Sequence, residues 1–510
     1  MPKINPQIFR AYDIRGIAQP IDPSDTPDLT EESVYMIGRA TAIYLQQTYN
    51  TQHMAVGRDV RESSPALQKA FIEGLLTEGL DVTDIGLAPS PMIYFASCCE
   101  ALAFDSATNI TASHNPKEYN GIKTVANNAH SICGDELQKI REIAEGLAEE
   151  DLNSINSRRS PENTQPPGNP PEGSLKTPNL RETTPPGTLD QQNIWPLYKE
   201  ELLTKIDHAN FTKPLKVVID AGNGVAGPFA PELLEQIPNL EVIKLYCEPD
   251  GTFPNHEANP EELHNMKDLI EEVRAHKADL GVGYDGDGDR IGIIDEEGTH
   301  YSADYLLLLL TQDLVTRHTQ PQIVFDVKVS QAIINRMDAL GATPVMSKTG
   351  HSFIEQRMKD LQALLGGEVS GHMFFGENYY GFDDAFLATL KILEILAKTQ
   401  TPFSQQFNDL PKTYMTPEFK AHTPDDKKFA IVEQLTAHFA QETDYECITI
   451  DGVRVKFDDL SWGAVRASNT SPNLTLRFES TSPERLAKIQ EIFIEQLKKH
   501  PDVDLGWYAE

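Results

Sequence analysis

Apolar and polar positions along this chain keep changing period, and the changes divide it into blocks. Ser64 and Pro65 read as an N-cap and a first-turn proline, and Leu67, Ala70, Phe71 and Leu75 then fall on one helical face. Residues 81–86 follow as a strand, and Leu137, Ile140, Ile143 and Leu147 line another helix beyond a polar stretch at 111–123. Further on, 215–220 reads as a buried strand, 231–236 as a short helix, 240–246 as a strand and 261–276 as a helix, with strands at 279–284 and 291–295. A third block starts with a helix at 303–316 and an extended run at 323–327, and ends in a helix near 385–398. The last hundred residues change style. Residues 447–457 are extended around an Asp451-Gly452 hairpin signal, 474–478 is a strand, and the final helix is capped by Ser482 and Pro483. That helix should bury Leu486, Ile489, Ile492, Phe493 and Leu497 and stop at Pro501.

One stretch breaks this texture. From 152 to 192 there is no aromatic residue and no valine, while eight prolines crowd in with Ser, Thr, Asn and Gly. Such a composition cannot bury enough apolar surface to offset its ordering entropy, which predicts a flexible insertion. The division expected is therefore an α/β domain at 1–151, the Pro-rich insertion at 152–192, α/β domains at 193–300 and 301–410, and an α+β domain at 411–510.

Charge narrows the partners. In 510 residues, 77 Asp and Glu against 44 Lys and Arg give a formal charge of −33. Nucleic acid and anionic membrane both need a basic field to displace counterions or approach headgroups, so neither is expected as a partner. No apolar run reaches about 18 residues and the first residues do not read as a signal peptide, so a cytoplasmic location is expected. The five cysteines lack Cys-x-x-Cys spacing and read as reduced thiols rather than a disulfide framework or zinc site.

Five short loops carry chemistry. Thr111-Ala112-Ser113-His114-Asn115-Pro116 presents a serine that could be a nucleophile or phosphate carrier, or part of a structural turn; no nucleophile-elbow pattern surrounds it. In Asp285-Gly286-Asp287-Gly288-Asp289-Arg290, three alternate carboxylates repel unless a cation sits among them, and hard oxygen ligands suit Mg²⁺ or Ca²⁺. An EF-hand would need glycine where Arg290 stands and helical flanks, which favours a Mg²⁺ site over a calcium-binding structural loop or a solvated acidic turn. Glu368, Ser370 and His372, set between glycines, are an assortment that hydrogen-bonds sugar hydroxyls. Arg466-Ala467-Ser468-Asn469-Thr470 could cradle a phosphate or be a polar hairpin loop. Gly222-Asn223-Gly224-Val225-Ala226-Gly227 fits GxGxxG after a strand, with Glu248 about twenty residues on. It could bind a dinucleotide, although Pro228 and Pro231 leave little helix for a pyrophosphate and favour a tight strand-to-helix turn.

Together with Phe9-Arg10-Ala11-Tyr12-Asp13-Ile14-Arg15-Gly16, the Ser113, Asp285, Glu368 and Arg466 loops occur in the order found in the α-D-phosphohexomutases, and the chain most resembles their bacterial phosphomannomutase/phosphoglucomutase members. The resemblance spans nearly the whole chain. It implies four domains in a heart-shaped arrangement around a central cleft, each giving one loop. It also implies reversible interconversion of hexose 1-phosphate and hexose 6-phosphate, of mannose or glucose, by an intramolecular phosphotransferase with a phosphoserine and a hexose 1,6-bisphosphate intermediate. Ser113 would carry the phosphoryl group and join Asp285, Asp287 and Asp289 in holding Mg²⁺, with hexose 1,6-bisphosphate as activator. Arg15, His114, Lys123 and Arg290 would serve the transfer. Tyr12, Lys328, Lys348, His351, Glu368, Ser370, His372, Arg466, Ser468, Asn469 and Thr470 would bind substrate. Hexose phosphates are the partners implied, and no obligate protein partner is evident. Two departures stand out: Val369 replaces a methionine common in relatives, and the 152–192 segment is longer than expected. The alternatives are a phosphoglucosamine mutase, whose pattern favours serine at Thr111 and glutamine at Val369, and a nicotinamide-dependent sugar dehydrogenase using the Gly222 loop.

Overall fold

The computed structural model describes residues 4–22, 26–159, 185–442, 445–468 and 471–508. The chain forms two compact units, Met1–Pro196 and Leu197–Glu510. The first holds one mixed sheet. Strand Ile14–Ile17 runs antiparallel to Tyr119–Ala126, which is antiparallel to Ser106–Ile110; His53–Arg58, Asp81–Leu87 and Leu189–Gln191 then continue in parallel. Helices Glu31–Tyr49, Ser64–Thr77 and Asp135–Arg159 cover it, with Ile37, Leu45, Val56, Phe71, Leu75, Ile110 and Ile122 in the core.

Two expectations change here. Helix Ser64–Thr77 starts one residue earlier than expected: Ser63 precedes it and makes no capping bond, its hydroxyl accepting Asn120 Nδ2 at 2.8 Å, while the Ser64 hydroxyl donates to Asp59 and accepts Asn120 Nδ2 at 2.9 Å. The 152–192 segment is also not a separate insertion at its ends. The helix continues through residues 152–159, and Leu189–Gln191 joins the sheet edge with Val82 opposite Leu189. The strand was hidden because backbone bonds and a Thr188–Asp81 contact at 2.7 Å carry it while its side chains stay exposed. Residues 160–184 lie outside the described residues.

The second unit holds three sheets. In the first, strands Leu240–Leu245, Leu215–Asp220 and Leu280–Tyr284 are parallel, followed by antiparallel Ile291–Asp295 and His300–Tyr301. In the second, Thr343–Ser347, Gln322–Asp326 and Leu365–Gly367 are parallel and Met373–Phe375 antiparallel. The third, formed by Tyr414–Met415, Phe419–His422, Glu446–Ile448, Val453–Lys456, Trp462–Ala467 and Asn473–Ser480, is wholly antiparallel. Three mixed α/β sheets and a C-terminal α+β sheet agree with the expected class. The 261–276 helix is shorter than predicted: Lys267–His276 follows a 3₁₀ turn at Leu263–Met266, where Asn265 Nδ2 bonds Asn259 O. The final helix, Pro483–Leu497, is capped as expected, Ser482 accepting the Arg485 amide; Ile489, Phe493 and Leu497 are buried, Leu486 and Ile492 only half-buried with Ile494 buried beside them, and the helix ends four residues before Pro501.

One topological position recurs. In each mixed sheet a strand running with its parallel neighbours turns back into an antiparallel strand, and the turn is the Ser113, Asp285 or Glu368 loop. The Arg466 loop likewise lies between antiparallel Trp462–Ala467 and Asn473–Ser480.

Candidate active site

In the first unit Ser113 is buried, and its φ of 52° places it in the left-handed region, which non-glycine residues seldom occupy. Local bonds hold it there. Its N–H donates to Thr111 Oγ1 at 2.9 Å, and its Oγ lies 3.2 Å from His114 Nδ1. The larger restraint is Arg61. This fully buried guanidinium donates to the carbonyls of Ser113 (2.8 Å), Asn115 (2.6 Å), Pro116 (2.6 Å) and Tyr119 (3.0 Å), while its Nε meets Asp59 at 3.0 Å. Arg15 bonds Asn115 Oδ1 at 3.0 Å and pairs with Asp13. Lys123, buried on Tyr119–Ala126, stands opposite Asn109; Tyr12 is half-buried just before Ile14–Ile17.

In the second unit Asp285, Asp287 and Asp289 are buried on the turn between Leu280–Tyr284 and Ile291–Asp295, each offering one oxygen within 4.8 Å of the others. Asp285 Oδ1 accepts the amides of Asp289 (3.1 Å) and Arg290 (3.2 Å), which curls the loop, and Gly288 supplies a φ of 72°. Three hard carboxylate oxygens at this spacing fit a small divalent cation that prefers oxygen donors. Burial opposes the Arg290 charge, but Asp285 and Asp289 outweigh it and raise its pKa.

His372 connects this turn to the Glu368 loop. Its Nε2 lies 3.3 Å from Asp289 and 3.2 Å from Arg290 Nε, and its Nδ1 lies 3.0 Å from Glu368 and 3.1 Å from Ser370 Oγ. Burial and the Arg290 cation press the imidazole pKa down, yet Asp289 and Glu368 prevail and raise it to about 10. The backbones bridge too, Arg290 against His372. Only glycine fits at 371: its φ is 104°, and an added Cβ would meet Ile291 O at 2.6 Å. Asp289, His372 and Asp383 form a second close group, but the Arg290 guanidinium already lies against this imidazole.

Other positions expected to bind substrate gather around the same loop. Burial would raise the Glu368 pKa, but bonds from His372 and the Gly350 amide, the latter at 2.6 Å, hold it low. Burial raises Asp326, which accepts the amides of Lys328 and Val369. Lys328 is buried and bonds Glu418 at 2.8 Å; despite burial, Glu418 and Asp326 raise its pKa. His351 opens helix His351–Leu361, with its ring 6.1 Å from that of His372, and Lys348 is exposed over Phe353. Arg466 Nε donates to Asp451 at 2.7 Å, and the same carboxylate oxygen receives the Thr349 amide at 3.0 Å. Segment 348–351 is thereby tied to both the Glu368 loop and the Arg466 strand. Ser468 Oγ meets Ser471 Oγ at 2.9 Å, while Asn469 and Thr470 lie outside the described residues.

Tyr12, Arg15, Ser113, His114 and Lys123 thus belong to the first unit and the remaining described site residues to the second. Arg61, Glu418 and Asp451 were missed. Asp451 reads in sequence only as a hairpin signal; Arg61 and Glu418 act on partners 52 to 58 and 90 residues away, beyond the reach of any local motif.

Four family models match in sequence: phosphoglucomutase/phosphomannomutase alpha/beta/alpha domain I over residues 6–151, domain II over 196–298, domain III over 302–414 and the C-terminal domain over 418–496. The chain belongs to the α-D-phosphohexomutase family. A phosphomannomutase/phosphoglucomutase of Pseudomonas aeruginosa is 41% identical over 497 residues, covering 98% of this chain and 96% of that one. A phosphoglucomutase of Neisseria meningitidis serogroup A is 35% identical and covers 99% of each. Among solved structures, a phosphoglucomutase/phosphomannomutase family protein of Burkholderia thailandensis superposes with a TM-score of 0.82 at 34% identity, covering 98% of this chain and 99% of that one. For this phosphohexomutase the alternatives are not favoured. The Gly222 loop leads into a helix of only five residues, Ala230–Leu234, and Gly227 lies where a Cβ would be 2.1 Å from Cys247 O. No helix among the described residues is long and apolar enough to cross a membrane.

Proposed function

We propose that this phosphohexomutase interconverts the 1- and 6-phosphates of mannose and glucose through a phosphorylated Ser113. The observation that carries the reading is the His372 junction, which joins the carboxylates of the Asp285 loop to Glu368 within hydrogen-bonding distance. Donors for a metal and acceptors for sugar hydroxyls thus share one imidazole, as a reaction on a sugar phosphate requires.

Asp285, Asp287 and Asp289 would hold Mg²⁺, with the phosphorylated Ser113 as the further ligand that the family resemblance implies. When bound, the metal offsets charge on the phosphoryl group in transfer, where positioning and electrostatics dominate catalysis. The free hydroxyl of a hexose monophosphate attacks phosphorus, the bond from phosphorus to Ser113 Oγ breaks, and the hydroxyl proton passes by way of His114 or Lys123 to the freed Ser113 Oγ, which His114 Nδ1 approaches at 3.2 Å. The product is a hexose 1,6-bisphosphate. After it turns over, Ser113 Oγ attacks the other phosphate and the second monoester leaves. Added bisphosphate activates by phosphorylating any serine that has lost its group.

Arg15 and Arg290 balance charge at the transferring phosphoryl, and Tyr12 lines the substrate path. Glu368 and Ser370 accept and donate to ring hydroxyls, with His372 orienting both; Lys328, Lys348 and His351 contact the sugar. Arg466, Ser468, Asn469 and Thr470 hold the phosphate that is not reacting. Hexose phosphates are the partners, and the cytoplasm is the place of action.

Incubation with mannose 1-phosphate or glucose 1-phosphate, Mg²⁺ and a trace of glucose 1,6-bisphosphate should yield the 6-phosphate; its absence would sink the reading. Intact mass should show one added phosphoryl group on the wild type and none on Ser113→Ala.

A further inference from the structure

The glycine-rich turn 222–227, which binds no nucleotide in this reading, rests against the metal loop. Strands Leu215–Asp220 and Leu280–Tyr284 are parallel, with Asp220 opposite Gly283, so the turns that follow them emerge at the same end of the sheet. The Val225 amide donates to Gly286 O at 3.1 Å. A Cβ on Gly224 would lie 3.1 Å from Gly286 O and 3.2 Å from Gly286 Cα. Gly286 separates Asp285 from Asp287, so a shift there moves two of the three carboxylates.

The turn is itself anchored from behind. Asn223, at a φ of 60°, donates its amide to Tyr246 O (2.8 Å) and its Nδ2 to Glu248 O (2.9 Å), and accepts Asn255 Nδ2 (2.8 Å). Gly222 donates to Asp220, whose other oxygen lies 3.0 Å from His256 Nε2. A side chain at 224 would therefore be pressed between a pinned turn and the backbone it abuts.

We infer that the 222–227 turn is a positioning element for the cation site, with Asn223 and Gly224 setting the place of Gly286 and hence of the Asp285 and Asp287 carboxylates. The inference rests on the Mg²⁺ role proposed above for the three aspartates. Residues that orient metal ligands without touching the metal commonly change affinity by about 10–100-fold when altered.

The test is direct binding of Mn²⁺, an oxygen-seeking probe, to the whole enzyme, read from the spin-resonance signal of the free ion. Gly224→Ala should weaken binding about 10–100-fold, and Asn223→Gly, which keeps the backbone conformation but loses the side-chain anchors, should weaken it less. At saturating Mg²⁺ both should recover the wild-type KM for glucose 1-phosphate, and in chelator neither should melt more than about 2–4 °C below the wild type. Gly146→Ala, on an open helical surface, should bind Mn²⁺ as the wild type does. Wild-type Mn²⁺ affinity in both turn variants would overturn the inference. So would losses of affinity matched by lower melting in chelator and by a KM that metal does not restore, since these mark a general folding role. Failure of the metal assignment is separable: Asp287→Ala would then bind Mn²⁺ as tightly as the wild type.

Discussion

Replacing Arg61 by methionine tests how the Ser113 loop is held. The side chain is wholly buried, so its loss leaves the Asp59 carboxylate without its guanidinium and four carbonyls of residues 113–119 without this donor. Removing one partner of a buried ion pair costs about 3–5 kcal/mol, because the other charge stays buried. Methionine replaces much of the volume, so little of the loss comes from a cavity. If the penalty falls on the loop, the amides of Asn115 and Tyr119, which bond Ala112 O and Pro116 O, should exchange with solvent about 10²- to 10⁴-fold faster, at 1.36 kcal/mol per decade. Hydrogen exchange read on peptides covering 111–121 measures this without assuming that the whole chain unfolds in one step. Arg61→Lys retains the charge but cannot span four carbonyls, and should fall between. Phosphorylation of Ser113 and kcat should decline in the same order. Exchange at those amides as slow in Arg61→Met as in the wild type would refute the reasoning.

Glu418→Gln leaves the buried Lys328 cation without its nearest carboxylate, which carries a penalty of about 3–5 kcal/mol; kcat/KM for hexose phosphates should fall, and an unchanged value would discard the coupling. Gly452→Ala puts a Cβ 2.2 Å from Val465 O at a φ of 69°, next to the Asp451 that holds Arg466, so KM should rise in steady-state assays. Glu136 gives a pH test. Burial pushes its carboxyl up, but bonds from His130, Tyr49 and Tyr44 outweigh this and hold it at about 2. A depressed carboxylate stabilises fully above its unfolded value near 4.5, and that contribution fades as pH falls toward 2. Glu136→Gln should therefore melt below the wild type at pH 7, with the gap closing in melts taken between pH 4.5 and 3; a constant gap would contradict the assignment.

What the sequence disclosed followed the range of its signals. Strands 215–220 and 291–295 were readable to the residue, since burial on both faces leaves an apolar run bounded by polar turns. The Asp285 turn was readable because like charges at alternate positions require an explanation within six residues. Leu189–Gln191 was not, because its register comes from the neighbouring strand and its own side chains face solvent. Ser64 satisfied the local rule for a cap, but Asp59 and Asn120 claimed its hydroxyl. Arg61, Glu418 and the two-sided role of Asp451 rest on separations that only folding closes. The Gly222 turn fitted a dinucleotide pattern because a tight turn after a strand makes the same demand for small residues, whatever then packs on it.

The strand Leu189–Gln191 has a consequence for protein engineering. Helix Asp135–Arg159 packs on Glu31–Tyr49 and Leu189–Gln191 pairs with the edge of the same sheet, so the 25 residues at 160–184 connect two points of one unit. The entropy of closing such a link grows only with the logarithm of its length, about 0.6 kcal/mol for each doubling. A guest cassette of about a hundred residues, such as an affinity module, could be spliced into this segment for about 1–2 kcal/mol of closure entropy, leaving the four loops covalently untouched.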